Sequence, residues 1–418
     1  RELDFAGGGS FVVSGSTLTI ASGVLGSTGS GSHVIASHLS LGAAGQFDLN
    51  APVTVSGNLT GPAGFAKNGT ASLTIAGTST LGGPINVQTG PVTINGTTGP
   101  VTVSSTGQLD GAGTIGGITA ASGSTVAGTL TATTDSTLSG AISPGGAGIG
   151  TITIQGNASI IGGTFHAEIN GAQCDKLDVT GSLSRQSSQL DVQEIDAGAT
   201  ESVYVIADAS SFSFQPTVTA IPSGYQFVTY SLFGGYPRMC IVSSAAPNCT
   251  AIVPRDPGPT NADTLVFDIA FDKPIVAFNR SSDLIVSKDA TLNYTFGSLV
   301  PADAFNMNFV LTLTNVTGNG SISITVDPDD GGQSIHDGLG NNLASSVTSD
   351  PLVIDNVAPG ATIATVTASP APPGTIEFTL TFDENVENLT PDDLSISFPG
   401  THDATIITGS GSSYIITL

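Results

Sequence analysis

Ionisable side chains that could perform catalysis are scarce in the first third of this 418-residue chain. The five between residues 5 and 134 are His33, His38, Asp48, Lys67 and Asp110. Cleavage of a polysaccharide needs clustered carboxylates, or a base together with Ca²⁺. The pattern therefore predicts no catalytic residue in this stretch. The two histidines lack the further ligands of a metal site, so we expect them at surface or corner positions.

A denser group of carboxylates follows in the second third. It comprises Asp175, Asp178, Asp191, Glu194 and Asp196. A pair of these side chains could serve as acid and base if the fold brought them together. Their spacing is more typical of solvated turns and strand faces, which is the interpretation that we favour. No catalytic residue is predicted in the chain, and we expect a protein that is not an enzyme.

The acidic residues become most frequent after residue 240. Residues 1–240 hold 13 acids and 5 bases, whereas residues 241–418 hold 20 acids and 4 bases. Carboxylates that converge where two modules meet repel one another unless a hard cation such as Ca²⁺ binds them. Two interpretations remain open, ordinary solvated loops and structural Ca²⁺. The candidate ligands are Asp272, Asp327, Asp329, Asp337, Asp355 and Asp383.

Asn-x-Ser/Thr triplets are the last chemical signal, and they occur somewhat more often than chance predicts. Such triplets accept N-linked glycans in secreted proteins, so a glycoprotein is a further hypothesis. The Ser/Thr-rich surface could equally carry O-linked glycans. The candidate acceptors are Asn58, Asn68, Asn95, Asn157, Asn248, Asn279, Asn293, Asn315, Asn319 and Asn388.

The elements that position these residues are predicted to be short strands. Up to about residue 210, apolar and polar residues alternate in brief runs separated by glycine, as in Val53–Val55, Leu73–Ile75 and Val92–Ile94. Such runs predict strands with one buried and one wet face. A sandwich and a solenoid both fit, but the unbroken spacing favours a right-handed parallel β-helix with rungs of about 20 to 25 residues.

Motifs in this region resemble the autotransporter-associated β-strand repeats of bacterial passenger proteins. Residues 67–77, Lys-Asn-Gly-Thr-Ala-Ser-Leu-Thr-Ile-Ala-Gly, are similar to the K-N-G-x-G-x-L-x-L-x-G unit of that family. Residues 107–117, 150–157 and 174–181 continue the resemblance in order. It covers about residues 50–240 and implies a surface-exposed β-helix. No membrane barrel follows in the chain, so self-secretion is not implied.

Aromatic residues concentrate between residues 200 and 245, where we expect a cap over the last rung. A solenoid needs such a cap because its end exposes an open core and unpaired strand edges. An aromatic platform for sugar binding is the alternative. Cys240 and Cys249 lie beside this cap and are predicted to form a disulfide, which leaves Cys174 unpaired.

The pattern changes after residue 254 to longer strands that recur once. Phe267–Asp272 aligns with Phe378–Asp383 at an offset of 111 residues (378 − 267). This offset suits an immunoglobulin-like sandwich of about seven strands. Residues 337–341 and 355–359 resemble segments of the bacterial Ig-like repeats of large surface proteins, some of which bind Ca²⁺ between modules. The predicted domains are residues 1–250, residues 251–355 and a truncated module at residues 356–418.

The overall composition limits the class of protein. The chain has 9 Lys and Arg against 33 Asp and Glu, so a nucleic-acid partner is excluded because phosphates need basic residues. No apolar run is long enough for a membrane-spanning helix. The start of the chain shows no leader, so secretion would require that one was removed or that the chain is a fragment. Low lysine and abundant Gly, Ser and Thr favour an extracellular bacterial surface.

These observations predict a non-enzymatic structural protein of the bacterial cell surface, in a surface layer (S-layer) or an extracellular matrix. Its partners would be further copies of itself, other envelope proteins or glycans. An adhesin that binds a host or cell-surface ligand is the alternative. A polysaccharide-active enzyme is the least favoured hypothesis.

Overall fold

A computed structural model describes residues 2–213, 215–230, 237–278, 283–327, 335–368, 374–397 and 405–418. Within these residues the regular secondary structure is β-strand, apart from one 3-10 turn at Pro391–Asp393. No helix in the described residues is long and apolar enough to cross a membrane. The all-β class is confirmed. Two predicted site residues, Asn279 and Asp329, lie outside the described residues.

The first half of the chain is a parallel β-solenoid of short strands, as the alternating pattern predicts. The strands are Leu3–Asp4 (β1), Val12–Val13 (β2), Leu18–Ile20 (β3), Val24–Ser27 (β4), His33–Ile35 (β5), Leu39–Leu41 (β6), Gly45–Leu49 (β7), Val53–Val55 (β8), Leu59–Gly61 (β9), Phe65–Asn68 (β10), Leu73–Ile75 (β11), Ser79–Leu81 (β12), Ile85–Ile94 (β13), Thr97–Thr98 (β14), Val101–Asp110 (β15), Thr114–Ile115 (β16), Ile118–Ala120 (β17), Thr125–Gly128 (β18), Thr131–Ala132 (β19), Ser136–Leu138 (β20), Ala141–Pro144 (β21), Thr151–Ile154 (β22), Ala158–Ile161 (β23), Thr164–Gly171 (β24), Gln173–Cys174 (β25), Lys176–Val179 (β26), Ser182–Gln186 (β27), Gln189–Ala199 (β28), Val203–Asp208 (β29), Ser211–Ser213 (β30) and Thr217–Ala220 (β31).

Three parallel stacks form the sides of the solenoid, and each turn of the chain visits all three. The first stack begins β1, β4, β7 and β10, the second begins β2, β5, β8 and β11, and the third begins β3, β6, β9 and β12. The long strands β13 and β15 continue around one corner, so each belongs to both of the first two stacks. Hydrogen bonds therefore run from turn to turn on every side.

The register aligns buried side chains in columns along the core. Leu25, Phe47, Lys67, Val87 and Val103 occupy one column of the first stack, at steps of 22, 20, 20 and 16 residues. All five are fully buried. The shortest step, 16 residues, falls below the expected rung length of about 20 to 25 residues. Each strand thus contributes alternate residues to one continuous core.

The last turn passes into an antiparallel cap. Strand β29 pairs with Arg238–Ser243 (β33), which in turn pairs with Tyr225–Tyr230 (β32). Strand β33 therefore runs opposite to the third stack and β32 runs parallel to it, and together they cover its edge. The hydroxyl of Tyr204 donates a hydrogen bond to Gly171 O at 2.5 Å, which ties the cap to the preceding turn.

Two antiparallel sheets that share one apolar core follow the cap, and this unit is called the sandwich below. Its strands are Cys249–Pro254 (β34), Thr264–Phe271 (β35), Ile275–Ala277 (β36), Leu284–Lys288 (β37), Asn293–Pro301 (β38), Asn308–Thr317 (β39), Gly320–Val326 (β40), His336–Asp337 (β41), Val347–Thr348 (β42) and Leu352–Ile354 (β43). One sheet has the order β34–β35–β39–β38, and the other joins β37, β42 and β43 to β40. Apolar residues from both sheets share one core, which includes Phe267 and Ile324.

A separate three-stranded antiparallel sheet ends the chain. Ala361–Thr365 (β44) and Ile406–Thr417 (β46) flank Glu377–Val386 (β45), and the sheet has its own small apolar cluster. Strand β45 carries the second copy of the repeated segment whose first copy is β35. Both strands lie between two antiparallel neighbours in their sheets.

Candidate functional site

Lys67, the lysine of the repeat-like segment, lies inside the solenoid. Its column neighbours are Phe47 and Val87, and its ammonium group donates hydrogen bonds to Gly69 O at 2.7 Å and Thr89 O at 2.9 Å. Burial lowers the pKa of this amine to about 8. The lysine therefore satisfies backbone carbonyls at a corner, and Gly69 permits the corner because its backbone has a φ of +81°.

The two N-terminal histidines have separate environments. The His33 ring is buried and stacks on Phe5 and Phe11, with ring centroids at 4.5 and 5.4 Å. His38 Nε2 instead forms a hydrogen bond with the Thr60 hydroxyl at 2.9 Å. The expected surface or corner position is therefore wrong for His33, whose inward position on its strand places it in the core.

The carboxylates of the last turns each bind a different partner. Asp178 lies 3.9 Å from Lys176, Asp191 lies 3.0 Å from His166, and Glu194 accepts a hydrogen bond from Ala199 N at 2.9 Å. Asp196 Oδ2 lies 3.3 Å from the Asn170 amide nitrogen, within hydrogen-bond distance. These contacts are structural. The described contacts link none of the four to another member of the group.

Asp175 departs from the expected solvated position because it is fully buried. It accepts hydrogen bonds from Gly150 N at 2.8 Å and Glu168 N at 3.0 Å, and so joins two successive turns. Burial raises the pKa of this carboxyl to about 6, although the two backbone hydrogen bonds oppose the rise. Asp175 therefore stabilises the hairpin between β24 and β25, and its carboxylate is occupied by backbone N–H groups.

Among the predicted metal ligands that the structure describes, Asp337 is the most buried. Its carboxylate accepts hydrogen bonds from Leu339 N and Asn341 N, both at 2.9 Å, and from Asn341 Nδ2 at 3.0 Å. The Lys273 ammonium group lies 3.5 Å from its Oδ2 atom. A lysine and three N–H groups thus surround the carboxylate that the sequence suggests as a Ca²⁺ ligand.

The other predicted ligands are spread over the acidic half. Asp272 accepts hydrogen bonds from Asn248 N and Nδ2 at 2.8 and 2.9 Å. Its described hydrogen bonds involve no second carboxylate. Asp327 donates its backbone N–H to Asp283 O at 2.9 Å. Asp355 and Asp383 accept backbone N–H groups from Val357 and Gly360.

The junction before the C-terminal sheet does bring three acids into electrostatic contact. The pKa of Glu384 lies above its ordinary value through partial desolvation and through the negative charges of Asp355 and Asp383. Within the described residues, however, no three His, Cys, Asp or Glu side chains are arranged to hold a metal ion. Structural Ca²⁺ stays a prediction.

The joint between solenoid and sandwich contains a group of buried polar contacts. Lys273 follows β35, is fully buried, and donates hydrogen bonds to Ser243 O at 2.8 Å and Ala245 O at 2.5 Å. Ser243 is the last residue of the cap strand β33, and Ala245 follows two residues later. Because the same ammonium group faces Asp337, one side chain links the cap to two segments of the sandwich.

An apolar contact and a cation complete this joint. Tyr230, Cys240 and Val242 of the cap form a buried cluster against Phe305 and Leu339 of the sandwich.

Arg238, also from the cap, stacks over the Phe305 ring at 4.0 Å from its centroid. Its Nε atom lies 2.8 Å from Asp208, which in turn lies 2.6 Å from Lys176. Sequence reasoning missed both Lys273 and Arg238. The available signal was that they are two of only nine basic residues in a strongly acidic chain.

The predicted disulfide is wrong. Cys240 and Cys249 are both free thiols, as is Cys174. The reason is that Cys240 belongs to the cluster at the joint, whereas Cys249 begins the sandwich and packs in its core. Burial raises the pKa of the Cys249 thiol to about 11 and that of Cys240 still higher. Neither is a reactive thiolate at neutral pH.

The described glycosylation candidates lie on the surface, except that Asn68 and Asn319 are half-buried. Four solenoid members have structural contacts: Asn58, Asn95 and Asn157 each accept a backbone N–H from the next turn, and Asn68 Nδ2 donates to Asp48 in the preceding turn. These amides bridge successive rungs, which accounts for asparagine at those corners without a glycan. Whether any of the sites is modified stays a prediction.

Comparison with known proteins does not place the chain in a family: no family model matches it, and no curated protein does.

Proposed function

We propose that this chain is a non-enzymatic structural protein of a bacterial cell surface, a component of a surface layer or an extracellular matrix. The observation that carries the proposal is the joint, where Lys273 links the carbonyls of Ser243 and Ala245 to Asp337 without solvent exposure. A buried charge with all its hydrogen-bond partners in place opposes separation of the cap from the sandwich, because opening the joint would leave that charge without its partners. Such a joint suits a load-bearing part.

The solenoid supports a mechanical function in a second way. Backbone hydrogen bonds connect each turn to the next on three sides, and Lys67 and Asp175 add buried contacts between turns. Hydrogen bonds of parallel stacks must break together under shear, so the element is stiff for its mass. The excess of acidic over basic residues, 33 against 9, favours solubility of the chain.

The proposal also includes five more specific features. They are a right-handed β-helix like that of autotransporter passengers, Ig-like sandwiches in the acidic half, Ca²⁺ at module junctions, glycans on exposed asparagines, and self-association at the cell surface. Support comes from the ordered motifs of residues 67–117 and the 111-residue repeat that places β35 and β45 alike.

Electron microscopy of the purified chain tests the proposal. Ordered arrays or fibres formed by the chain alone, or with envelope fragments, would support a lattice or matrix component. A chain that stays monomeric at high concentration and on envelope fragments would contradict it. Turnover of an acidic polysaccharide that one carboxylate substitution abolishes would also contradict it.

An adhesin is the second candidate function. The observation that favours it is a cavity of about 650 Å³ at the last turns of the solenoid, lined by Arg185. Attachment of the chain to cells or glycan arrays without self-association would favour this alternative.

A further inference from the structure

A cavity lies at one corner of the solenoid near its C-terminal end. It has a volume of about 650 Å³ and borders strands β23, β27 and β30. Hydroxyl and amide side chains, among them Ser187, Ser213 and Gln215, line it together with Ile160 and Ile161. Its size falls in the range of small-molecule sites, roughly 300–1,000 Å³.

Arg185 lines the same cavity from an inward-facing core position. Its register partner in the preceding turn is Ile160, and only 2% of its surface is exposed. Its Nη1 atom donates to the Met239 sulfur at 3.4 Å, which is a weak acceptor. Nε and Nη2 have no hydrogen-bond partner among the residues that the structure describes.

This arrangement differs from that of the other buried cations. Lys67 donates to two carbonyl oxygens, and Lys273 has two carbonyls and a carboxylate. Burial lowers the pKa of Arg185 to about 10, so the guanidinium group remains charged at neutral pH. A buried charge that lacks both a counter-ion and oxygen acceptors destabilises a fold, and a charge retained at that cost marks a candidate functional site.

The free nitrogens have a geometry that selects the ligand. Nε–H and one N–H of Nη2 point in the same direction along one edge of the planar guanidinium group. The two oxygens of a carboxylate accept such a parallel pair of hydrogen bonds. Hydroxyl and amide groups on the cavity wall, next to the exposed apolar side chain of Ile161, suit a ring with several hydroxyls.

We propose that this cavity binds an acidic sugar, with the sugar carboxylate on the Nε–Nη2 edge of Arg185. The proposal goes beyond the structural function and does not depend on it. Both nitrogens are closed to water, each with less than 1 Å² of accessible surface. A ligand therefore reaches them only after a wall side chain turns aside, and association should be slower than diffusion.

Titration of the full chain with glucuronate, glucose and inorganic sulfate, followed by calorimetry and by NMR, tests the proposal. We expect glucuronate to bind at least tenfold more tightly than glucose, because glucose lacks the carboxylate. Equal affinity for glucose and glucuronate would overturn the proposal. Equal affinity for sulfate and glucuronate would overturn the sugar assignment, since it would mean a general anion site. No detectable binding of glucuronate at about 20 mM, a concentration that would nearly saturate a site with a Kd of about 1 mM, would overturn it as well.

Two substitutions examine the guanidinium group itself. Arg185→Met and Arg185→Lys should each weaken glucuronate binding at least tenfold. Methionine removes the charge, and lysine keeps the charge but lacks the two parallel N–H donors of the guanidinium edge. The matched control is Arg255→Met, which removes an exposed arginine paired with Asp268 and should leave binding unchanged. Wild-type affinity in a folded Arg185 variant would overturn the proposal.

If both variants fail to fold, hydrogen exchange in the unchanged chain replaces them. Glucuronate should then slow amide exchange at Gln186–Ser187 and Ser213 and leave the sandwich unaffected. Protection that is absent from these residues would overturn the proposal.

Discussion

The ammonium nitrogen of Lys273 lies 3.5 Å from Oδ2 of Asp337, and neither side chain has exposed surface. The two residues are 64 positions apart in sequence, but Lys273 lies two residues before Ile275, the register partner of Asp337 in the β36–β41 pair. The lysine also binds the carbonyls that end the solenoid cap. One buried contact thus closes the sandwich on itself and attaches it to the solenoid.

Lys273→Met should destabilise the chain strongly. The substitution leaves Asp337 as a buried charge without its cation and leaves two cap carbonyls without their donor. Breaking such a pair costs about 3–5 kcal/mol. Denaturant unfolding of the full chain measures the effect.

The matched control for this prediction is Lys288→Met, at an exposed position of the same sandwich. It should change the free energy of unfolding by no more than about 0.5 kcal/mol. Similar costs for the two variants would show that Lys273 does not secure the joint.

Asp175 should make the solenoid more stable at mildly acidic pH. Its pKa rises from 3.8 in the unfolded chain to about 6 in the fold, so the folded state binds the extra proton between these values. The free energy of unfolding should therefore fall as pH rises from about 4 to 7, by at most roughly 3 kcal/mol from this group.

The pH dependence, rather than absolute stability, is the readout for Asp175→Asn. The variant should lose that part of the slope, while Asp178→Asn, at a half-exposed neighbouring position, should keep it. An identical slope in wild type and Asp175→Asn would contradict the assignment.

Gly69→Ala should disrupt the corner that holds Lys67. A Cβ atom there would lie 2.1 Å from Leu49 O, and the backbone is left-handed with a φ of +81°. The left-handed backbone costs about 1–2 kcal/mol for a residue with a side chain, and the clash adds about 1–3 kcal/mol. Thermal unfolding measures the sum.

Gly146→Ala separates these two contributions. Gly146 has a similar φ of +76°, but a Cβ there would meet no atom within 4 Å. It should show the backbone cost alone. If the two alanine variants have the same melting temperature, close packing between turns does not constrain the corner at Gly69.

Calcium should stabilise the junction before the C-terminal sheet if the Ca²⁺ prediction holds. Asp355 and Asp383 both act on Glu384, and a divalent cation would relieve their repulsion. At a hundred times its dissociation constant, Ca²⁺ would add about 2.7 kcal/mol to stability. A melting scan with Ca²⁺ and with chelator measures the shift, and Asp355→Ala should abolish it. A melting temperature that chelator leaves unchanged would contradict the Ca²⁺ prediction.

The strands of the solenoid could be predicted because their signal is local. In Leu73–Ile75 or Val92–Ile94, alternation of apolar residues with threonine indicates which face is buried, and the structure confirms the parallel stacks. The repeated segment at residues 267 and 378 likewise occupies corresponding central strands.

The functional contacts could not be predicted because they depend on pairing between distant segments. Nothing local distinguishes Lys273, which is buried at the joint, from an ordinary surface lysine. Arg185 and Lys67 fall at inward positions of their strands, yet charged residues are expected to face water. The disulfide prediction failed for the same reason, since nine residues of sequence separate two different cores.

Distances between spin labels test the central claim, a rigid joint, most directly. Labels on Ser105→Cys in the solenoid and Ser287→Cys in the sandwich, both exposed positions, would be measured with Cys174→Ser as background. A rigid joint predicts one narrow distribution of the distance between the two labels, and the substitution Lys273→Met should broaden it. A broad distribution in the chain with Lys273 intact would contradict a rigid joint.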